Sequence, residues 1–466
     1  MIEPTDQFTQ KAVNLFNNEI HDLWKTSGNV WRNGCAMDTI LDYFTVCKID
    51  PSTYADTAIN SLDPTKGGNW WDDFGWIGLA AIRAAEQNLW PAYRDRFLKI
   101  AINSWAYMCG PHWSKSNTAV YPFTGADLLG WETFAKSHTP NRGAPNVWND
   151  IGQTWTNKPI SEDDKMERKA RYSPGGIWNS PLENSYQPDL TLNYQGDGSY
   201  VNPIQNTVTN AVFTVLSLRI YQASKNGLFS NIFTESELDN EACLQAWKDQ
   251  IGWFDQWILQ TPAADESMKL ALDTGCLIRE RASRFNEWNG QRYWDGSYRK
   301  EWIWTGDQGL LIGALREGKA AGYVKSDVLD LYPQIVEGVF KYGYKPRTYN
   351  QKISGNFLLP WIVVNSQNPY SEGALAGDAN DYQTGTGVFM RYLLQAYKAE
   401  PSLLENHKDA IIDSANNIIQ SGFGTNAQPS GNCDPFTPYP VKDDPATVMT
   451  AYINRLSVLL LAIEVS

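Results

Sequence analysis

Asp72 and Asp73 stand side by side in the stretch GGNWWDDFGW (Gly67–Trp76), among Trp70, Trp71, Phe74 and Trp76. Two adjacent carboxylates repel, and rings around them displace the water that would screen the repulsion. Loss of hydration raises one pKa while hydrogen bonding keeps the other group ionised, so such a pair can divide acid and nucleophile duties. Glycoside hydrolysis needs such a division, with the carboxyls ~5–5.5 Å apart for retention and ~6.5–9.5 Å apart for inversion. Consecutive Cα atoms lie about 3.8 Å apart, so adjacency favours retention. The plainer reading is an acidic first turn, since aspartate near a helix N-terminus is stabilised by the macrodipole.

Other chemistries find little support. The four histidines (His21, His112, His138 and His407) show no H-E-x-x-H spacing, and the G-x-S-x-G, Walker and G-x-G-x-x-G patterns are absent. The acid-rich GDANDYQ (Gly377–Gln383) fails the spacing of a calcium loop and reads as a solvated turn. Cys35, Cys47, Cys109, Cys243, Cys276 and Cys433 are scattered without a C-x-x-C pair, which speaks for buried thiols. No metal and no organic cofactor is expected.

The formal net charge of −13, without a basic block, argues against nucleic acid or an anionic membrane as partner. No apolar run is expected to reach the ~18 residues of a membrane span. The start, MIEPTDQFTQ, lacks the basic and apolar regions of a signal peptide. The expectation is a cytoplasmic protein, or the mature form of a secreted, periplasmic or surface one. With 20 Trp and 23 Tyr, the chain has many rings able to stack on sugars, although core packing must take most of them.

These side chains need a scaffold, and helical periodicity runs from end to end. Helices are expected over Asp6–Trp24, Cys35–Cys47, Asp73–Gln87, Pro91–Cys109, Asn206–Ala223, Ser236–Leu259, Gly306–Gly322, Ser326–Gly343, Tyr382–Lys398, Ser402–Ile419 and Ala446–Val465. Several, such as GWIGLAAIRAA and NAVFTVLSLRIYQA, are apolar nearly all round and carry one arginine (Arg83, Arg219, Arg316, Arg391) in the middle or later part. A helix apolar on all sides is buried on all sides. Amphipathic helices alternate with them, which predicts an all-α protein, a single (α/α)6 barrel spanning 1–466. The long Gly110–Gln205 and Gln260–Thr305 stretches would build cleft walls at one mouth.

WWDDFGWIGLAAIRA resembles the Asp-Asp signature of glycoside hydrolase family 76, the endo-α-1,6-mannanases and related enzymes. GGIWNSP (Gly175–Pro181), NTVTN (Asn206–Asn210), TGDQGLLIGAL (Thr305–Leu315) and GVFMRYL (Gly387–Leu393) resemble later family segments in matching order. The resemblance implies an (α/α)6 barrel, with Asp72 as nucleophile and Asp73 as general acid/base. It implies ring faces for sugars at Trp71 and Trp178, and polar contacts from Asn210, Asp307 and Gln308, for which helix capping is the competing role. Gly306-Asp307 departs from the family's Tyr-Asn, losing a ring and gaining an acid. The expected partner is α-mannan or a manno-oligosaccharide, cut by a monomer. A transglycosylase on the same site, and an inactive carbohydrate-binding homologue, are the alternatives.

Overall fold

Helices that are apolar on nearly every side have one stable place, a ring in which each is flanked by two others and backed by a third. The computed structural model describes residues 4–26, 30–62, 70–109, 176–177, 206–232, 240–261, 267–281, 285–288, 291–294, 302–349, 353–364, 379–420, 436 and 444–466. Six long helices form the inner ring: α3 (Val30–Val46), α5 (Trp71–Gln87), α7 (Thr207–Lys225), α9 (Thr305–Ala321), α11 (Gly385–Ala399) and α13 (Pro445–Val465). Each packs on the next, and α13 closes back on α3. Outside them, α6 (Arg94–Cys109) backs α5, α8 (Asn240–Asp255) backs α7 and α10 (Tyr332–Gly343) backs α9. Both α1 (Pro4–Leu15) and α12 (Lys408–Gln420) lie against α13. The short α2 (His21–Thr26) and α4 (Ala55–Ser61) complete the helices around α3. This is the (α/α)6 barrel that the alternation predicts.

Close approach in the ring depends on glycine. A Cβ at Gly34 would lie 2.8 Å from the Trp76 carbonyl carbon, and one at Gly309 would lie 2.5 Å from the Phe389 Cα. The α3–α5 and α9–α11 backbones therefore meet where no larger residue fits. Helix ends are set locally. Asn206 caps α7 by accepting from the Thr209 amide at 3.2 Å, and Asp444 caps α13 through the Thr447 amide at 3.0 Å. Left-handed Gly322 (φ 70°) and Asn88 (φ 51°) stop α9 and α5.

The inner helices run parallel, because early residues meet early ones and late residues meet late ones. Arg32 at the start of α3 reaches Asp381, before α11, at 3.1 Å. In the last turns, Arg219 of α7 pairs with Glu317 of α9 and bonds Gln395 of α11. Between the two ends lies a buried layer of charge. Asp38 of α3 receives Arg83 of α5 and, at 2.8 Å, Arg391 of α11. Three of the arginines visible in the sequence, Arg83, Arg219 and Arg391, thus cross-link inner helices.

Several boundaries differ from expectation. α3 starts at Val30, a π turn (Phe16–Ile20) interrupts the first helix, and 3₁₀ turns precede α10 and α12. The Gln260–Thr305 stretch holds strands: β1 (Lys269–Ala271) pairs with β2 (Cys276–Ile278), and β3 (Phe285–Trp288) with β4 (Gln291–Trp294). β5 (Trp302–Trp304) leads into α9 and pairs with β8 (Trp361–Val363), while β6 (Tyr344–Tyr349) pairs with β7 (Ile353–Leu358). The membrane reading needs one correction: α13 is long and apolar enough to span a bilayer, yet it is an inner-ring helix and mostly buried. Cys35, Cys243 and Cys276 are free buried thiols, and Cys47 is free and half-buried. Gly110–Gly175 lies outside the described residues, as does Trp178 through Gln205.

Candidate active site

Because the inner helices are parallel, their N-termini share one mouth, and their free amides and dipoles favour negative charge there. Asp72 and Asp73 occupy the first turn of α5, after the extended Trp70. Asp73 is buried and Asp72 half-buried. Loss of hydration pushes the Asp72 carboxyl up to about 7, its own backbone amide opposing and the Asp381 carboxylate adding to the rise. Asp72 therefore keeps its proton to a higher pH than an ordinary aspartate does.

Asp307, in the first turn of α9, is wholly buried, and neither of its carboxylate oxygens has a hydrogen-bond partner. Its pKa stands well above the usual carboxylate range. Burial is the main cause, the negative charges of Glu280 and Asp72 add to it, and Arg281 offsets it in part. A carboxyl so placed is biased towards its protonated form, in which it can donate a hydrogen bond. Two consecutive inner-ring helices beyond α5 thus hold different duties: α7 starts beside Glu280–Arg281, and α9 contributes Asp307 to the same electrostatic neighbourhood as Asp72.

Asn210 and Gln308 occupy neither caps nor free positions. The Asn210 Oδ1 accepts the Ile177 amide at 2.8 Å, and its Nδ2 donates to the Ile177 carbonyl at 3.2 Å and the Asn206 carbonyl at 2.7 Å. Gln308 treats Ile278 the same way, its Oε1 accepting the amide and its Nε2 donating to the carbonyl, both at 2.8 Å. Each side chain clamps the backbone of a rim segment as a neighbouring strand would. Asn210 thereby fixes the two residues that precede Trp178, which itself lies outside the described residues.

The tryptophans divide unexpectedly. Trp71 is 1% exposed and packs on Phe74, whereas Trp70 is 47% exposed. The ring that faces solvent beside the aspartates is Trp70. Sequence reasoning also passed over Asp381, which sits in the acid-rich turn read as merely solvated, and Glu280–Arg281. Asp381 pairs with Arg32 and Glu280 with Arg281 at 3.2 Å, so both acids belong to ion pairs at this mouth. The signal for Asp381 was present, as an acidic turn just before an inner helix. Among the described residues, no group of histidines, cysteines and acids could hold a metal ion.

With this geometry in view, comparisons with known proteins bear on the fold. No protein-family profile and no curated protein matches the sequence. Among solved structures, the GH76A α-1,6-mannanase of Salegentibacter sp. HEL1_6 matches over 98% of this chain and 99% of its own, with a TM-score of 0.50 and 14% identity. Its inactive variant, with two consecutive aspartates replaced by alanine and in complex with α-1,6-mannotetrose, matches over 98% of both chains with a TM-score of 0.51 and 14% identity. The chain has the fold of the family 76 mannanases. The likeness covers the barrel from end to end.

Proposed function

We propose that this family-76-like barrel is a glycoside hydrolase that cleaves α-mannosidic bonds with retention, as an endo-α-1,6-mannanase. One observation carries the reading: an adjacent carboxylate pair in the first turn of an inner helix, at the mouth where all six inner helices begin. The solved relative gives it further support, since replacing two consecutive aspartates accompanies inactivation there.

In this reading Asp72 attacks the anomeric carbon and forms a β-linked mannosyl-enzyme, while Asp73 protonates the departing glycosidic oxygen. Asp73, now a carboxylate, then takes a proton from water, which displaces Asp72 and restores the α configuration. Positive charge building on the sugar in the transition state would favour ionised Asp72. Neutral Asp307 would donate to a sugar hydroxyl, a contact that an ionised acid could not make. The exposed Trp70 would offer a face to a sugar ring, and Trp71 would support it from the core. Asn210 and Gln308 act on substrate indirectly, by holding the rim. No metal or cofactor enters any step, so exhaustive EDTA treatment should leave turnover intact.

The test is incubation with α-mannans of different linkage, followed by product sizing. Internal cutting of an α-1,6-linked backbone into short oligosaccharides is expected. Failure to cleave any α-mannan would defeat the proposal.

A further inference from the structure

The end of the barrel opposite the aspartates holds a cavity of about 540 Å³, within the size range of small-ligand sites. The last turns of α3, α5, α7, α9 and α11 line it, and the buried Asp38–Arg83–Arg391 layer separates it from the catalytic mouth. Its walls carry Arg83, Arg219, Arg316 and Lys398 against Asp42, Glu86 and Glu317, and no aromatic ring. Cations at helix C-termini are ordinary, because the macrodipole favours them. The pairing of these charges is what departs from the ordinary.

Three of the cations have counter-ions of their own. Arg83 binds Asp38 and Asp42, Lys398 reaches Glu464 at 3.3 Å, and Arg219 takes Glu317 through Nε at 3.0 Å and Nη2 at 2.5 Å. Arg316 is left with a remote share of the same Glu317, at 3.8 Å, although its side chain is only 17% exposed. Its Nε has no partner, nor has the neighbouring Gln395 Nε2. Glu86, the remaining acid, forms no ion pair with it. A guanidinium so enclosed normally has a carboxylate or phosphate in its fork.

We propose that this far-end cavity binds a small oxyanion, a phosphate or carboxylate group of a compact ligand, with Arg316 as its principal anchor. A planar fork with spare donors suits an oxyanion, and the lack of rings disfavours a neutral sugar. Glu86 supplies a pH response. Its side chain stands exposed at the rim of the cavity, and its carboxyl is raised above the ordinary value, by loss of hydration first and with Glu317 adding, while Arg219 and Arg83 oppose it. Protonation of Glu86 as pH falls removes a repulsion on the anion. Asp42 and Lys398 also face the cavity, each held in an ion pair of its own. The site is independent of the mannan reading.

Sulfate is the probe, because it remains a dianion from weak acid to weak base, so any pH response belongs to the protein. Calorimetric titration of the full chain with sulfate, against chloride at matched ionic strength, should show sulfate-specific binding that is tighter at pH 6 than at pH 8. Arg316→Gln should weaken it about tenfold, the loss of one charge-assisted hydrogen bond, and leave glycosidase turnover unchanged. Glu86→Gln should keep sulfate binding strong at both pH values. Acetate and inorganic phosphate titrations then tell a carboxylate preference from a phosphate one. Sulfate acting no differently from chloride, or binding Arg316→Gln as well as the native chain, would overturn the proposal.

Discussion

Gln308 and Ile278 are joined by two 2.8 Å hydrogen bonds, one to each polar group of the Ile278 backbone. The side chain of an inner helix thereby acts as a strand partner for β2, and Asn210 repeats the device on Ile177. Amides suit this work because each offers a donor and an acceptor in one plane. The first prediction concerns these clamps. Gln308→Ala leaves the Ile278 amide and carbonyl buried without this partner, at about 1–3 kcal/mol for each unsatisfied group. Urea denaturation should show a loss of a few kcal/mol. Gln308→Glu should be as damaging, because an ionised carboxylate cannot donate. A neutral outcome for both would mean that the rim does not depend on the clamp.

The tryptophan pair gives the second prediction. Trp71 is buried against Phe74, so Trp71→Ala should cost about 3–5 kcal/mol, the usual range for a large ring deleted from a core. Trp70→Ala removes a half-exposed ring and should change the melting temperature little while weakening manno-oligosaccharide binding. Normal sugar affinity in Trp70→Ala would remove that ring from the site.

Asp307 gives the third. Its folded pKa lies well above the unfolded value, so the native state holds a proton that the unfolded chain has released. This contribution is fully favourable below the unfolded pKa, near 4, and is lost progressively as pH rises towards the folded value. Asp72 responds in the same sense, up to about pH 7. Asp307→Asn keeps the shape and removes the titration. The stability of the mutant relative to the native chain should therefore rise with pH, by at most about 1.4 kcal/mol per unit above pH 4 for one proton. Urea midpoints from pH 5 to pH 8 measure it. A difference independent of pH would mean that Asp307 is ionised in the native state.

The barrel was legible because burial on all sides leaves its mark on composition: from Asp73 to Ala85 every residue of α5 is buried, and the sequence there is apolar or small apart from Asp73 and Arg83. The alternation picked out four of the inner helices, α5, α7, α9 and α11, while the inner places of α3 and α13 were not read from it. The duties of single polar residues were less accessible. Asn210 and Gln308 looked able to face a cleft, but their partners lie 33 and 30 residues away in the chain, on segments with no pairing signal of their own. Trp70 and Trp71 differ by one position, but Trp70 is the extended residue before α5 and Trp71 is the first residue of the helix, so their side chains leave the backbone in different directions. Adjacent indoles can thus have opposite fates, and the sequence does not say which is which. Asp381 joins the site through its ion pair with Arg32 of α3, a relation between distant parts of the chain.

The last prediction concerns the division of labour between Asp72 and Asp73. Asp72 carries the carboxyl pushed up to about 7. If it is the nucleophile it must be ionised in the free enzyme, so kcat/KM should fall as pH drops through about 7, on the acid side of the profile. If it were the general acid it would have to hold its proton, and the same value would appear as a loss of activity on the alkaline side. The pH profile with a mannoside of an activated phenol separates the two, since that leaving group needs no protonation. Asp72→Asn should abolish turnover on every substrate, because no mannosyl-enzyme forms. Asp73→Asn should be mildest on the activated phenol, and added azide should restore turnover by releasing an α-mannosyl azide. NMR of the first-formed sugar completes the test. An α-anomer supports two successive displacements at the anomeric carbon, whereas a β-anomer from an α-linked substrate would leave only one and refute the retaining assignment.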